Sequence, residues 1–142
     1  HVDSDCIFHR KADCHEMIED GKAIVLREEV ESPWNKVTEE VLGWYDPYEY
    51  MRRMPIIYPR WAYTSFKAWI EEKYYNSLEN IIAGRPYREF SEFNSMGQWL
   101  HRFHEEKIDW RHPRELEPMC KQYWSYAGLH SHEQEVKLLL DG

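Results

Sequence analysis

The sequence has few cysteines and few glycines, and each shortage excludes a class of protein. Three cysteines in 142 residues are too few, and odd in number, for a disulfide-dense secreted scaffold. A single bridge between Cys6 and Cys14 is compatible with an oxidising compartment, and reduced thiols are the alternative. The six glycines form neither of the glycine-rich loops that bind nucleotide phosphates.

Long apolar runs are absent as well. No stretch of about 18 apolar residues occurs, so we expect no membrane-spanning segment. Mean hydropathy is -0.82, because Val, Ile and Leu are scarce and seven Trp and ten Tyr supply much of the apolar content. These ring types are enriched where proteins meet proteins or lipid headgroups, and here they must also fill the core. A chain of this length predicts one domain.

Acidic residues outnumber basic ones, 26 to 18, and one segment departs from this balance. The chain has a net charge of -8 and a pI near 5.5, which argues against a nucleic-acid partner because phosphate contacts need clustered Lys and Arg. Residues 51–70 contain no Asp or Glu and carry +4, which leaves -12 for the rest of the chain. We call residues 51–70 the basic aromatic segment.

The basic aromatic segment is the strongest functional signal in the sequence. Its Arg and Trp residues suit a protein partner, through stacking and burial. They also suit peripheral contact with anionic lipid, because long cations and rings sit well at a membrane boundary. Pairing with the acidic remainder of the same chain is the third interpretation. The residues that we expect at such a contact are Arg52, Arg53, Tyr58, Arg60, Trp61, Tyr63 and Lys67.

Helix-start signals recur along the chain, as a Ser or Asp followed by Pro, as Pro alone, or as a capping box. The longest apolar pattern at helical spacing begins at Pro59 and ends before Gly84. Together these signals predict helices over 33–43, 48–53, 59–83, 96–108 and 113–128, and a last short helix after Ser131.

Strand signals are weak by comparison. Residues 1–21 have no clean period and predict an extended arm. Residues 22–29 hold the only dense aliphatic run, which fits a short strand, an extended segment or a helix, and a strand there needs a partner in the arm or in another chain. We therefore predict a mainly α fold in a single domain, 1–142. It has an arm over 1–21, a body over 22–142, five or six helices around the central helix 59–83, and at most one short strand.

Two groups of Cys and His are weak candidate metal ligands, and incidental polar residues are the alternative. The first group spans ten residues and comprises Cys6, His9, Cys14 and His15. The neighbours Cys14 and His15 rarely both turn toward one tetrahedral ion. The second group is His101 and His104, three apart on a predicted helix, whereas a hydrolytic zinc helix has H-E-x-x-H.

Signatures of catalysis are missing. No G-x-S-x-G elbow occurs, no local pattern marks Cys120 as an activated thiol, and adjacent acidic residues fit solvated helix faces. The sequence predicts neither an enzyme nor a cofactor.

We expect a non-catalytic accessory or structural subunit that packs onto larger protein partners through the basic aromatic segment and the arm. The start at His1 rather than Met fits a removed presequence, a tag remnant or an undetermined start. Removal of a presequence would fit a mitochondrial, membrane-associated energy-transducing complex, and the cytoplasm is the alternative location. The alternatives are an acidic inhibitor of phage or bacterial origin that mimics nucleic acid, and a small zinc-dependent enzyme.

Overall fold

The computed structural model describes residues 6–8, 10–11, 13–51, 55–122 and 137, and of Cys14 only the backbone. These residues form short strands and helices. The helices are α1 Pro33–Leu42, α2 Arg60–Tyr74, α3 Leu78–Ala83 and α4 Glu92–His104. The strands are β1 Cys6–Phe8, β2 Ile18–Glu19, β3 Lys22–Leu26, β4 Glu28–Glu29, β5 Tyr48–Glu49, β6 Ile108–Arg111 and β7 Cys120–Gln122.

The strands form three small sheets. β1 pairs with β7 and β4 with β5, both antiparallel. β3 is the centre of the third sheet, antiparallel to β2 and parallel to β6. The dense aliphatic run is therefore a strand, confirming one of the three interpretations of that run, and the arm supplies one of its two partners.

The predicted fold class is wrong. Instead of five or six helices around a central one, the described residues form a mixed α/β structure with four α-helices and seven strands in three sheets. Strands of two to five residues are too short to show the alternation by which a strand is recognised. Most of their pairings also join distant parts of the chain, which local patterns do not report.

The predicted central helix 59–83 is two helices. Tyr75 follows α2 in the left-handed conformation, with φ of 50°, and its N–H bonds back to the carbonyl of Glu71. Ser77 then caps α3 through Asn80 N. The apolar pattern runs across the break because Ile70 and Ile81 are buried in one core cluster.

Of the next two predicted helices, one is confirmed and one is wrong. The helix over 33–43 is confirmed, with Ser32 as N-cap and Gly43 at φ of 83°. The helix over 48–53 is wrong where the structure describes it, because Asp46 Oδ1 accepts from Tyr48 N and the chain enters β5.

The two later helices also differ from the prediction. The helix over 96–108 begins earlier, at Glu92, with Ser91 rather than Ser95 as its N-cap. The helix from Pro113 is a three-residue 3-10 turn followed by β7, and its predicted remainder, like the last helix after Ser131, lies outside the described residues.

The main core packs aromatic and aliphatic side chains from α1, α2, α4, β3 and β6 together. α4 contributes eight consecutive buried residues, Phe93 to Leu100, so it is the innermost helix. In the part of the chain that the structure describes, no helix has the length and apolar character needed to cross a membrane.

Tyr50 lies against α4 at Gly97. Its ring is 1% exposed, and a Cβ added at Gly97 would come within 2.2 Å of Tyr50 Cγ. The Tyr50 backbone N–H donates to Asn94 Oδ1 at 2.8 Å, one turn earlier on α4. The absence of a side chain at Gly97 therefore permits the approach, and Asn94 fixes its height along the helix.

We predict that Gly97→Ala destabilises the fold by about 3 kcal/mol, because the new methyl group overpacks against the Tyr50 ring. Urea unfolding followed by circular dichroism measures the loss. In the double variant Gly97→Ala/Tyr50→Leu the clash is relieved. The unfolding free energy that the double variant loses should therefore be smaller, by about 1 kcal/mol or more, than the sum of the losses in the two single variants. Additive costs would contradict the assigned contact.

Candidate functional site

A continuous row of rings lies between α2 and α4. Trp61 and Trp69 are eight residues apart on α2 and so share a face. His104 on α4 packs on Trp61 at 5.0 Å between ring centroids and on Trp99 at 4.7 Å. Phe103 continues the row, 5.9 Å from Trp69.

Trp44 closes the row just beyond α1. Its ring centroid is 5.5 Å from that of Trp69 and 5.6 Å from that of Phe103, both in edge-to-face geometry. The rings are only partly buried, and Phe103 is 47% exposed. We call this the α2–α4 aromatic surface, defined by Trp44, Trp61, Trp69, Phe103 and His104.

Three cations lie over this surface. The Arg102 guanidinium is 4.9 Å from the Trp44 ring centroid, Lys73 Nζ is 5.9 Å from that of Trp69, and Lys107 Nζ is 5.1 Å from that of Trp61. Such contacts leave the cations' N–H groups available to an anion. Among residues 13–51 and 55–122, no carboxylate lies within ion-pairing distance of these three cations.

His104 adds a titratable group to the surface. Burial among the indole rings is the largest influence on it and lowers its pKa below the ordinary value of 6.5, and the nearby Lys107 acts in the same direction. Glu106 opposes this shift by a smaller amount. The α2–α4 aromatic surface therefore favours the neutral imidazole, and protonation adds a fourth positive charge.

The residues predicted for partner contact are dispersed. Trp61 belongs to the α2–α4 aromatic surface. Tyr58 is 6% exposed, and its hydroxyl donates to the Phe93 carbonyl at 3.0 Å. Its ring packs on that of Tyr63, which is 44% exposed.

The positive charges of the basic aromatic segment are also divided. Lys67 lies 2.8 Å from both Glu71 and Glu79, so its charge is matched within the chain. Arg60 is exposed at the start of α2. Arg52 and Arg53 lie outside the described residues.

Sequence reasoning missed most of the α2–α4 aromatic surface. Trp44, Phe103 and the three cations come from three separate stretches of the chain, and only the packing of α2 on α4 brings them together. The helical spacing predicted that Phe103 faces inward with Trp99 and Leu100, whereas Phe103 is 47% exposed in the structure. The sequence does not reveal that Trp44 lies beside Phe103.

Asp46, Tyr50 and His101 form a second group, in which Asp46 and Tyr50 are buried and His101 is partly buried. Asp46 is 6% exposed, and its Oδ2 accepts from the Tyr50 hydroxyl at 3.0 Å. His101 Nδ1 lies 2.7 Å from the same oxygen, and since a carboxylate can only accept, Nδ1 carries the proton. Burial and the charge of Asp46 raise the pKa of Tyr50.

An Asp–His pair orients the imidazole in many hydrolases, but here it joins structural elements. His101 Nε2 lies 3.6 Å from Glu105 on the next helical turn, and the ring is bordered by Tyr48 and Trp110. We therefore interpret the pair as a clamp between α4 and the segment 46–50.

The candidate metal ligands do not converge where they are described. His101 bonds to Asp46, whereas His104 packs among indole rings. Cys6 is in β1 and His15 is exposed in the turn Cys14–Met17. His9 and the Cys14 side chain lie outside the description. Within the described part, no three His, Cys, Asp or Glu side chains are arranged to hold an ion.

Comparisons of the chain with protein-family models, curated proteins and solved structures found no significant match.

We predict that Asp46→Asn costs about 2 kcal/mol of unfolding free energy, because the amide cannot serve all three donors around the carboxylate. Tyr50→Phe removes one of those bonds and should cost about 1 kcal/mol. Chemical denaturation of the two variants measures both values. A smaller loss for Asp46→Asn than for Tyr50→Phe would show that the pair with His101 contributes nothing.

We predict a pH-dependent stability contribution from His104. Because the folded state lowers its pKa, the unfolded chain takes up the proton first, and stability is lost as pH falls through about 6.5. As the pH is lowered from about 8 to about 5, wild type should therefore lose more unfolding free energy than His104→Gln does. A difference independent of pH would contradict the burial of this imidazole.

Proposed function

We propose that this protein is a non-catalytic accessory subunit that docks on a larger protein partner through the α2–α4 aromatic surface. The partner presents an acidic segment with apolar side chains. Carboxylates of that segment pair with Lys73, Arg102 and Lys107, and its apolar side chains cover Phe103. The assembly belongs, within this proposal, to a membrane-associated energy-transducing complex of mitochondria.

The observation that supports docking is the combination of half-buried rings with cations that have no carboxylate partner in the described residues. Trp and Arg are the residue types that contribute most to protein interfaces, where a partner removes them from water. A ring row with a cation above each end offers both apolar area and a matched charge pattern. A partner gains affinity there without a conformational change of α2 or α4.

A protein partner suits this surface better than an anionic lipid layer. An interfacial anchor projects its rings outward from one helix face, whereas Trp61 and Trp69 here are only partly exposed between two helices. Two exposed carboxylates, Glu105 and Glu106, adjoin the surface. They would be repelled by anionic headgroups, whereas a folded partner can avoid them.

The decisive experiment compares two charge-reversal variants of the full chain, each expressed with an affinity tag in cells of its source. The test variant is Lys73→Glu/Arg102→Glu/Lys107→Glu. The control, Lys22→Glu/Lys36→Glu/Arg114→Glu, changes the net charge equally at exposed sites elsewhere. Native mass spectrometry and sedimentation of the purified material, after fractionation of the cells, measure the assembly and its compartment.

We predict that wild type and control occur in a large particle of fixed stoichiometry, and that the test variant appears as a folded monomer of about 17.4 kDa. Electrostatic and cation–π contacts are lost together, so affinity should fall roughly 100-fold or more. A test variant still in the particle would overturn the assigned surface. A wild-type monomer would overturn the subunit proposal, and a particle outside mitochondria would overturn the compartment.

A matched pair of aromatic variants separates ring contact from charge. Phe103→Ser removes a half-exposed ring of the α2–α4 aromatic surface, whereas Tyr87→Ser removes a ring that is 89% exposed elsewhere. Only Phe103→Ser should weaken the assembly. Equal effects of the two would point to a general loss of solubility.

A further inference from the structure

β1 and β7 bring two cysteines together from opposite ends of the described chain. The antiparallel register pairs Cys6 with Gln122, Ile7 with Lys121 and Phe8 with Cys120. Since side chains alternate between the faces of a strand, Cys6 and Cys120 lie on the same face in diagonal positions. Two-stranded ribbons twist more strongly than larger sheets, and this twist shortens one diagonal.

The two side chains are in contact. Both carry thiols, and a hydrogen bond joins the side chain of Cys6 to that of Cys120. Cys120 is 7% exposed, and its burial raises the pKa of its thiol, while the bond to Cys6 acts in the opposite direction. Cys6 is partly exposed. The outer thiol is therefore the one that a reagent reaches first.

We propose that Cys6 and Cys120 form a reversible disulfide that ties β1 to β7, with a low-molecular-weight disulfide as oxidant. This differs from the bridge between Cys6 and Cys14 that the spacing suggested. Cys14 follows β1 in sequence, whereas Cys120 is its neighbour in the fold.

The chemistry is two successive thiol–disulfide exchanges. The Cys6 thiolate attacks one sulfur of the oxidant, the oxidant's S–S bond breaks, and one reagent thiol leaves with a proton. The Cys120 thiolate then attacks Cys6 Sγ in this mixed disulfide and displaces the second reagent thiol. The two cysteines are oxidised, one oxidant disulfide is reduced to two thiols, and the two cysteine protons end on those thiols.

The bridge has a large effect on stability, because it closes a loop of roughly a hundred residues. Restricting so long a loop in the unfolded chain raises the thermal midpoint, by about 10 °C for a domain of this size. The bridge would join β1 to β7, and neither strand contributes a residue that defines the α2–α4 aromatic surface.

The experiment incubates the folded full chain with oxidised glutathione. Peptide mapping by mass spectrometry without reductant, after remaining thiols are alkylated, then identifies the bridge. We expect a linked pair of peptides holding Cys6 and Cys120, and a thermal midpoint that rises on oxidation and returns with dithiothreitol. Cys14→Ser serves as the matched control and should retain both effects, whereas Cys6→Ser and Cys120→Ser should lose both.

A bridge from Cys6 to Cys14, or a stable glutathione adduct at Cys6 without a second step, would overturn the proposal. So would a Cys6–Cys120 bridge that forms only when urea is present, because the native register of β1 on β7 would then be irrelevant. The wild-type chain alone decides these outcomes, so none depends on whether a variant folds. The result is also independent of the docking experiment.

Discussion

Tyr50 can lie on α4 only because Gly97 has no side chain at the point of contact. That contact places the Tyr50 hydroxyl beside Asp46, whose carboxylate also receives Tyr48 N and the His101 ring. The segment 46–50 is thereby fixed on the innermost helix from two sides. β5 lies within this segment and pairs with β4, so the orientation of the small sheet depends on the same contact.

α4 has two faces with different roles. Its inner face includes small and polar residues, such as Asn94 and Gly97, against which other elements pack. Gln98 on the same helix is 0% exposed. Its last turn carries Arg102, Phe103 and His104, which meet α2 and Trp44 at the protein surface. Rigid support beneath that turn favours binding, because a partner need not order it. Phe103 and His104 of the α2–α4 aromatic surface therefore lie on the same turn of α4 as His101, which is held by Asp46.

The paired thiols concern a different part of the molecule. β1 and β7 are each three residues long, and a two-stranded ribbon of that size has little stability alone. Cys120 belongs to the main core cluster and Cys6 packs against that cluster, so a covalent link between them would fasten both short strands to the core. The buried sulfur of Cys120 and the accessible sulfur of Cys6 supply the asymmetry that such a link needs.

Some features follow from local sequence. Ser32, Pro33 and Gly43 define α1 because caps act within a few residues. The aliphatic residues 23–26 form a strand, and the apolar composition of this run required its burial. The basic character of residues 51–70 was also evident, but its meaning was not, since Lys67 turns to Glu71 and Glu79 while Tyr58 turns inward.

By itself the sequence determined the capped helix α1, because a helix cap acts within a few residues. Its composition also indicated a core rich in aromatic rings, and the absence of known catalytic motifs is a property of the sequence alone. Only the tertiary structure decided which partner β3 takes, where the long helical pattern breaks, and which ring and cation meet. The pairing of β3 with β6 spans more than eighty residues, and the residues of the α2–α4 aromatic surface come from three separate stretches. Such contacts depend on the relative positions of whole elements, which no local pattern encodes.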